Sequence, residues 1–474
     1  MKAVKILISI FIFFTLTSVL NAQNLNDALR LSTPGIGVGA KALGMGGAFT
    51  AISDDYSATY WNPAGLFQVK RMEFNAGLSY NNLKNDASFF GTSTNFENSS
   101  TSINNLGFVF PFPTIRGSLV FGLGYNRTNN FNEAMAFSGF NSSNTSMIQT
   151  LLGKGDVSYL LYLTDSTGNF TPINGRLHQE GSILASGNEN RWVLSGTIEV
   201  AKDLAVGVSI DILGGTFEKN RDYSEIDTKD YYGTGVKTDP ADSRTADFQE
   251  FQFNETLKWE LGGFSAKAGF MYRFKDMLRF GAAIKFPSSF NIKEDYLVSG
   301  SAKFGTGFTP DISPALESNI EYEIITPYQF SAGISVTRSF FTISGDINLT
   351  DYTQMEFKNL SASKTVQNNK DIKTLFKSVM DYSVGGEFKV MNTGLKLRGG
   401  YMVRNSPFKN DPSEFNRKYI TLGAGFHADE SFAFDIAYIM GKWKTFGDNY
   451  GIDVSRTYQD IKTTDIVFTT TFRF

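Results

Sequence analysis

Residues 71–80 alternate with a period of two. Met72, Phe74, Ala76, Leu78 and Tyr80 fall on one side of an extended chain, and Glu73, Asn75, Gly77 and Ser79 fall on the other. Ten residues is about what a tilted strand needs to cross a bilayer. The pattern recurs. Leu119, Phe121, Leu123 and Tyr125 alternate with small or polar residues, as do Leu204, Val206, Val208, Ile210 and Ile212, and Phe432, Phe434, Ile436 and Tyr438. The last run is Ile466, Phe468, Thr470, Phe472, Phe474. Fourteen such strands are predicted, at 71–80, 104–112, 116–127, 190–202, 204–218, 256–274, 277–293, 320–337, 339–357, 381–391, 394–404, 417–427, 431–444 and 462–474. An even number is what a closed bacterial barrel with both ends on the periplasmic side requires.

The connections between these runs alternate in length. Short ones fall near Pro113–Ile115, Asp203, Lys275–Asp276, Arg338, Asn392–Thr393 and Asp429–Glu430. Long ones are predicted near 81–103, 128–189, 219–255, 294–319, 358–380, 405–416 and 445–461. Short periplasmic turns and long external loops are the asymmetry of an outer-membrane barrel, and a soluble β-sandwich has no reason to show it. The expected fold is therefore an all-β, closed, antiparallel 14-stranded transmembrane barrel spanning 71–474. The aromatic terminus Phe472-Arg473-Phe474 fits a last strand read by the outer-membrane barrel assembly machinery.

The first residues change the picture at one end. Lys2 and Lys5 precede an apolar stretch from Ile6 to Leu20, and Ala22 offers a small residue for cleavage before Gln23, so 1–22 reads as a secretory signal peptide. The stretch is short for a spanning helix, and no other segment approaches ~18 consecutive apolar residues. The chain holds no Cys, which suits an oxidising envelope. Its 44 Phe and 45 Gly against 12 Pro suit lipid-facing strands around a crowded interior. A net charge of −3 gives no electrostatic case for nucleic acid.

The inferred inner face carries both signs of charge: Glu199, Asp211, Lys267, Arg273, Asp346, Glu387, Lys389, Lys396, Arg398 and Asp435. An open ion-selective pore tends to show one dominant sign at its constriction. Mixed signs suit salt bridges or a plug, though ordinary solvated lumen residues would look alike. Residues 23–70 supply a candidate plug, or hatch. They are rich in Gly and hold Asp54-Asp55 and the run Tyr60-Trp61-Asn62-Pro63-Ala64-Gly65-Leu66. A phosphate-loop reading of the glycines fails, because no strand precedes them in a βαβ unit and Lys41 follows Ala40 rather than Gly. Catalysis has little to work with. There are two His, His178 and His427, placed far apart in the inferred barrel, and no Cys to serve as nucleophile or soft metal ligand. No enzyme, cofactor or metal site is expected.

At these residues the chain resembles the FadL/TodX-like outer-membrane transporters of long-chain fatty acids and other hydrophobic compounds. The run Gly44-Met45-Gly46-Gly47-Ala48-Phe49, then Asp54-Asp55, then Asn62-Pro63-Ala64-Gly65-Leu66, is similar to the family's N-terminal signature. Phe121-Gly122-Leu123-Gly124 is similar to its kinked third strand. Arg398, Gly400, Ser406 and Pro407 match its spacing near the eleventh. The resemblance implies that external loops capture a hydrophobic substrate, that a hatch holding Asp54, Asp55, Asn62, Pro63, Ala64 and Gly65 shifts, and that a gap at the third strand releases the substrate sideways into outer-membrane lipid.

The residues themselves support parts of this. Gly122 and Gly124 face inward, which either weakens the wall for a lateral opening or makes room for the plug. Met147, Ile148, Leu151 and Leu152 have helical spacing in an external loop, and Leu160 and Leu161 continue their apolar character. They form either a capture groove for hydrophobic small molecules (fatty acids, lipids, detergents) or a set that packs against other loops. Arg398 and Lys396 project inward and would either hold a carboxylate or bridge to the hatch through Asp54 or Asp55. Some relatives on this scaffold serve protein secretion or surface attachment, so that role stands as the alternative, with a nonspecific porin third.

Overall fold

The computed structural model describes residues 23–275, 277–427, 431–451 and 453–474. The predicted signal peptide 1–22 and the turn residues Asp276 and Asp429–Glu430 lie outside them. The described residues form one antiparallel sheet of fourteen strands, several of which bend between two hydrogen-bonded runs. They are β1 (Glu73–Phe89), β2 (Thr92–Phe112), β3 (Leu119–Asn130, continued by Glu133–Phe140), β4 (His178–Ala201), β5 (Leu204–Ile226), β6 (Phe248–Phe274) and β7 (Leu278–Lys285, continued by Ser289–Phe304). Then come β8 (Leu316–Ile325, continued by Gln329–Arg338), β9 (Phe341–Asp351, continued by Glu356–Lys358), β10 (Ser378–Lys389), β11 (Leu395–Arg404), β12 (Arg417–His427), β13 (Phe432–Asp448) and β14 (Arg456–Arg473). Each strand pairs with its neighbours in sequence. β1 also pairs with β14, from Glu73 opposite Arg473 to Ser88 opposite Tyr458, so the barrel closes.

Several strands run well past their predicted upper ends. The predicted long loop 81–103 is a hairpin: β1 and β2 continue to the turn Phe90-Gly91, where both residues take positive φ, as a two-residue hairpin turn demands. Loops 128–189, 219–255 and 294–319 shrink likewise to 141–177, 227–247 and 305–315. The reason is an inversion of the two faces. On β5, Val206, Val208, Ile210 and Ile212 point outward and are exposed, while Ala205, Ser209 and Asp211 point inward. Higher up, the outward positions become Glu218, Asn220, Asp222 and Ser224. The inward ones become Leu213, Phe217 and Tyr223, all buried. β6 does the same, from outward Phe264 and Phe270 to outward Glu260 and Lys258, with Trp259 and Leu257 turned in. Above the bilayer, water replaces lipid outside, so apolar side chains lose their reason to face out. The ladder itself continues, because backbone N–H and C=O groups still need partners. Pattern reading that expects apolar-out stops where the pattern flips.

Residues before β1 pack against inward-facing groups from strands all around the ring, and so lie within it. Gly39 N–H donates to Asn104 Oδ1 of β2 (3.0 Å), Ala40 N–H to Thr469 Oγ1 of β14 (3.0 Å), and Thr421 Oγ1 of β12 to Gly44 O (3.1 Å). Phe49 and Thr50 N–H groups donate to Asp346 Oδ2 of β9 (2.9 and 2.7 Å). Ser209 Oγ of β5 donates to Thr59 O (3.3 Å). The closeness depends on glycines in the wall. A Cβ at Gly385 would land on Met45 O, at Gly400 on Gly46 N, at Gly281 on Thr50 O and at Gly207 on Ala64 N. These are backbone atoms that cannot swing aside. Gly385→Val should therefore cost about 1–3 kcal/mol of overpacking and push residues 45–46 off the wall. Planar-bilayer conductance of the variant should rise well above that of the wild type, while heat-modifiable migration on gels shows the barrel still formed.

Candidate functional site

The Asn-Pro-Ala run owes its form to local capping. Asn62 is fully buried. Its Oδ1 accepts from Ala64 N–H (3.1 Å) and opens the 3-10 helix Pro63–Gln68, with Pro63 in the first position, where its missing N–H costs nothing. Its Nδ2 donates to Thr50 O (2.9 Å) and to Phe270 O of β6 (3.0 Å), tying the segment to itself and to the wall. Ala64 is buried beside it, and Gly65 has no room for a Cβ against Ser53 O. Asp54 pairs with Lys41 at 2.5 Å. Asp55 accepts from Ser57 N–H (2.8 Å) and Ser57 Oγ (2.6 Å) at the start of helix α3 (Ala58–Trp61), which follows α2 (Ala40–Gly44).

Above this segment the polar-walled upper barrel encloses an apolar chamber that its own side chains fill. Phe89, Phe131, Phe137, Phe217, Trp259, Phe290 and Ile324 are among the buried side chains packed in it. Helix α1 (Leu25–Ser32) stands inside it, capped by Asn24 and burying Ala28 and Leu31. Arg30 lies 4.3 Å over the Phe217 ring and bridges Asp27 (3.3 Å) and Glu133 of β3 (3.1 Å). Gln23 at the base of α1 reaches Glu294 of β7, which also accepts from Trp259 Nε1 and Tyr322 OH at 2.9 Å.

The predicted loop residues divide. Helix α4 (Met147–Thr150) starts at a capping box formed by Ser146 and Gln149, and Glu225 of β5 accepts from Met147 N–H (2.7 Å). Ile148 and Leu161 are fully buried in the chamber packing. Met147 and Leu151 border a cavity of about 180 Å³, together with Arg221, Phe253, Glu255, Tyr296, Asn449 and Tyr450. Leu152 is half-buried, and Leu160, at the end of α5 (Val157–Leu160), is exposed. The cavity's polar end went unread in the sequence, because its residues come from β5, β6, β7 and the segment just after β13.

Two other expectations are corrected. Arg398 is not free to meet a ligand: its side chain has no exposed surface, Nε donates to Glu387 (2.8 Å) and Nη1 to Asp435 (2.6 Å). Its partners are wall residues, not Asp54 or Asp55. Lys396 lies 3.4 Å from His427 Nδ1. Gly122 and Gly124 sit inside a fully paired ladder, opposite Val109 and Gly107 on β2 and opposite Ser195 and Val193 on β4. They make room for Thr59, Leu66 and Tyr56. The break in the wall is higher. β2 and β3 pair only up to Asn105 opposite Asn126, beside a register shift at Gly77/Leu78, although both strands continue. Beyond that point side chains bridge the seam. Asn130 Nδ2 and Asn132 Nδ2 donate to Ser100 Oγ (3.1 and 2.8 Å), and Asn98 Nδ2 to Ala185 O (2.9 Å).

Ser138 Oγ lies 2.9 Å from His178 Nε2, and Glu180 approaches that same nitrogen at 3.5 Å. A nucleophilic relay needs the acid on the opposite ring nitrogen, so this pair lacks that geometry.

A family model described as outer membrane protein transport protein (OMPP1/FadL/TodX) matches residues 191–474. The fold is similar to that of the P. putida toluene transporter TodX (14% identity, 93% of this chain and 99% of that one, TM-score 0.55). It is similar also to a Pseudomonas aeruginosa FadL homologue (13%, 92% and 98%, 0.57) and to the CymD monoaromatic hydrocarbon channel (14%, 93% and 98%, 0.51). No curated protein matches the sequence.

Burial pushes the Asp27 carboxyl up to about 7, outweighing Arg30 beside it. The unfolded chain releases that proton near pH 4, so the folded state becomes less stable as pH rises from about 4 to 7. Asp27→Asn should flatten this dependence. Thermal melts at pH 5 and pH 8 should differ more for the wild type than for the variant.

Proposed function

The chain belongs to the OMPP1/FadL/TodX family of outer-membrane transport proteins, and on that footing we propose that it carries hydrophobic small molecules, long-chain fatty acids among them, passively into the outer membrane. Substrate enters at the cavity beside Met147 and Leu151 and passes into the apolar chamber. Residues 23–70 act as a hatch whose movement frees the way. Exit is lateral, at the foot of the seam beside Asn105 and Asn126, where the outer face turns apolar, into outer-membrane lipid. Both chain ends are periplasmic, on the side of the short turns, and the assembly machinery reads the strand ending at Phe474.

The observation that carries this reading is the inverted upper barrel. Its outer face is polar and solvated, so the aromatic residues turned inward there serve no bilayer contact. Apolar surface gathered inside a water-facing wall suits an apolar cargo. The seam adds an outlet beside it, since Phe131 and Met135 of β3 belong to the chamber wall. TodX and CymD, one a toluene transporter and the other a monoaromatic hydrocarbon channel, make a small lipophile a reasonable cargo on the same fold.

Because the chain has no native Cys, the seam can be bridged selectively. Ser100→Cys with Asn132→Cys, joined by a short cleavable thiol crosslinker, should sharply lower cellular uptake of labelled oleate and toluene, because it blocks the gating motion. Cleaving the linker should restore it. Wild-type uptake in the bridged protein would refute lateral exit. A deletion strain that loses surface-protein secretion yet keeps hydrophobe uptake would refute transport altogether.

A further inference from the structure

We propose that four lysines on the outer face of the barrel, Lys418, Lys442, Lys462 and Lys84, form a docking site for the phosphorylated headgroup of an outer-leaflet lipid. The site depends on the outer-membrane setting and not on the cargo, so it is independent of the transport reading above.

The four lie in one row. Lys418 of β12 is directly opposite Lys442 of β13, Lys442 is opposite Lys462 of β14, and Lys462 is opposite Lys84 of β1. All four point outward, since their chain neighbours Tyr419, Gly441, Thr463 and Leu83 are buried on the inner face. Like charges directly opposite each other on a sheet repel. Four in succession repel three times over, and an anion bound across them removes that cost. Charged rows elsewhere on the outer face are built differently. On β5 to β8 they alternate in sign: Glu218, Lys258 and Asp295 form one row, and Glu260, Lys293 and Glu321 form the next. Those rows compensate themselves. The lysine row meets its first acid only at its end, where Glu97 of β2 lies 3.2 Å from Lys84. Lys442 and Lys462 reach to the next outward rung, to Asp460 (3.3 Å) and Asp86 (2.8 Å). Lys418 has no acidic partner among the described residues. Exposed ion pairs of this kind are weak, so the ammonium groups can exchange them for a stronger anion.

Height selects the occupant. Ile420 and Met440 are exposed one outward rung below Lys418 and Lys442, and Tyr438 and Tyr80 are exposed two rungs below Lys442 and Lys84. Outward tyrosines mark the membrane–water interface. Four residues of a strand tilted by about 40° raise the row about 10 Å above those tyrosines, which is headgroup level. A lysine there lays its stem along the apolar wall and turns its ammonium to an anionic headgroup. The row crosses three strand spacings, about 14 Å, which leaves room for more than one phosphate. A second copy of the chain would bring four more ammonium groups to the same place, so a symmetric contact through this row is disfavoured.

Native mass spectrometry of the full-length protein in detergent micelles, titrated with diphosphoryl lipid A and with fully dephosphorylated lipid A, tests this. Wild type should bind the diphosphoryl lipid about tenfold more tightly or better. The triple variant Lys418→Gln, Lys442→Gln, Lys462→Gln should lose that preference. Lys258→Gln with Lys293→Gln, on the alternating rows, should keep it. Heat-modifiable migration checks that each variant folds. Equal binding of the two lipids by wild type, or a preference retained in the triple variant, would overturn the site. Loss of the preference in the control pair as well would reduce it to net charge and overturn the row. Displacement of the lipid by millimolar inorganic phosphate would assign the row to a free anion and overturn the lipid source. A triple variant that changes oligomeric state while binding lipid as before would make the row a contact between copies, and so overturn it too.

Discussion

In hydrocarbon no water is available to pair a backbone N–H or C=O, so a sheet that crosses a bilayer must close on itself. Here closure falls to β1 and β14, whose ladder runs from Glu73–Arg473 to Ser88–Tyr458. The same seam ties the wall to the lumen. Glu73 is buried, accepts from Arg473 Nε at 3.0 Å, and also accepts from Tyr56 N–H at 2.9 Å. The closing strand and the residues within the ring thus share one carboxylate. Once the ring is shut, its interior is a fixed volume, and glycines at several wall positions let a second backbone approach within it.

Closure also gives meaning to the place where pairing lapses. β2 and β3 separate above Asn105–Asn126, and the seam beyond is spanned by Asn and Ser side chains. Side-chain bonds of this kind can exchange with water or ligand at small net cost, whereas a backbone ladder opens only cooperatively. The wall thereby has a section of lower stability at this seam. That section adjoins the chamber rather than the lower ring, where Gly122 and Gly124 are held in full register.

The lumen is organised by which charges are already matched. Arg398 is paired with Glu387 and Asp435 through Nε and Nη1, and Arg191 with Glu189 and Asp211, so these cations hold strands together. Among the described residues Lys285 has no such partner. The chemistry open to a ligand follows from this bookkeeping more than from the number of basic residues facing inward.

The strands that cross the bilayer were legible in the chain because lipid is a uniform solvent. Every outward position in Leu204–Ile212 or Phe432–Tyr438 must be apolar, and a period of two is a local property. The alternation of the segment ending at Phe474 and the unusual Asn62-Pro63-Ala64 run were visible for the same reason: each is set by neighbours within a few residues. The upper barrel was not legible, because water outside and apolar side chains inside reverse the pattern without interrupting the ladder. Nor could the chain alone assign Arg398 and Lys285. Both are inward-facing cations on regular strands. What separates them is that Glu387 and Asp435 arrive beside one, while β6 sets Lys267 opposite the other. Such partners lie far away in sequence and meet only when the sheet closes, so the local pattern specified the barrel and the tertiary structure decided which of its charges remain available.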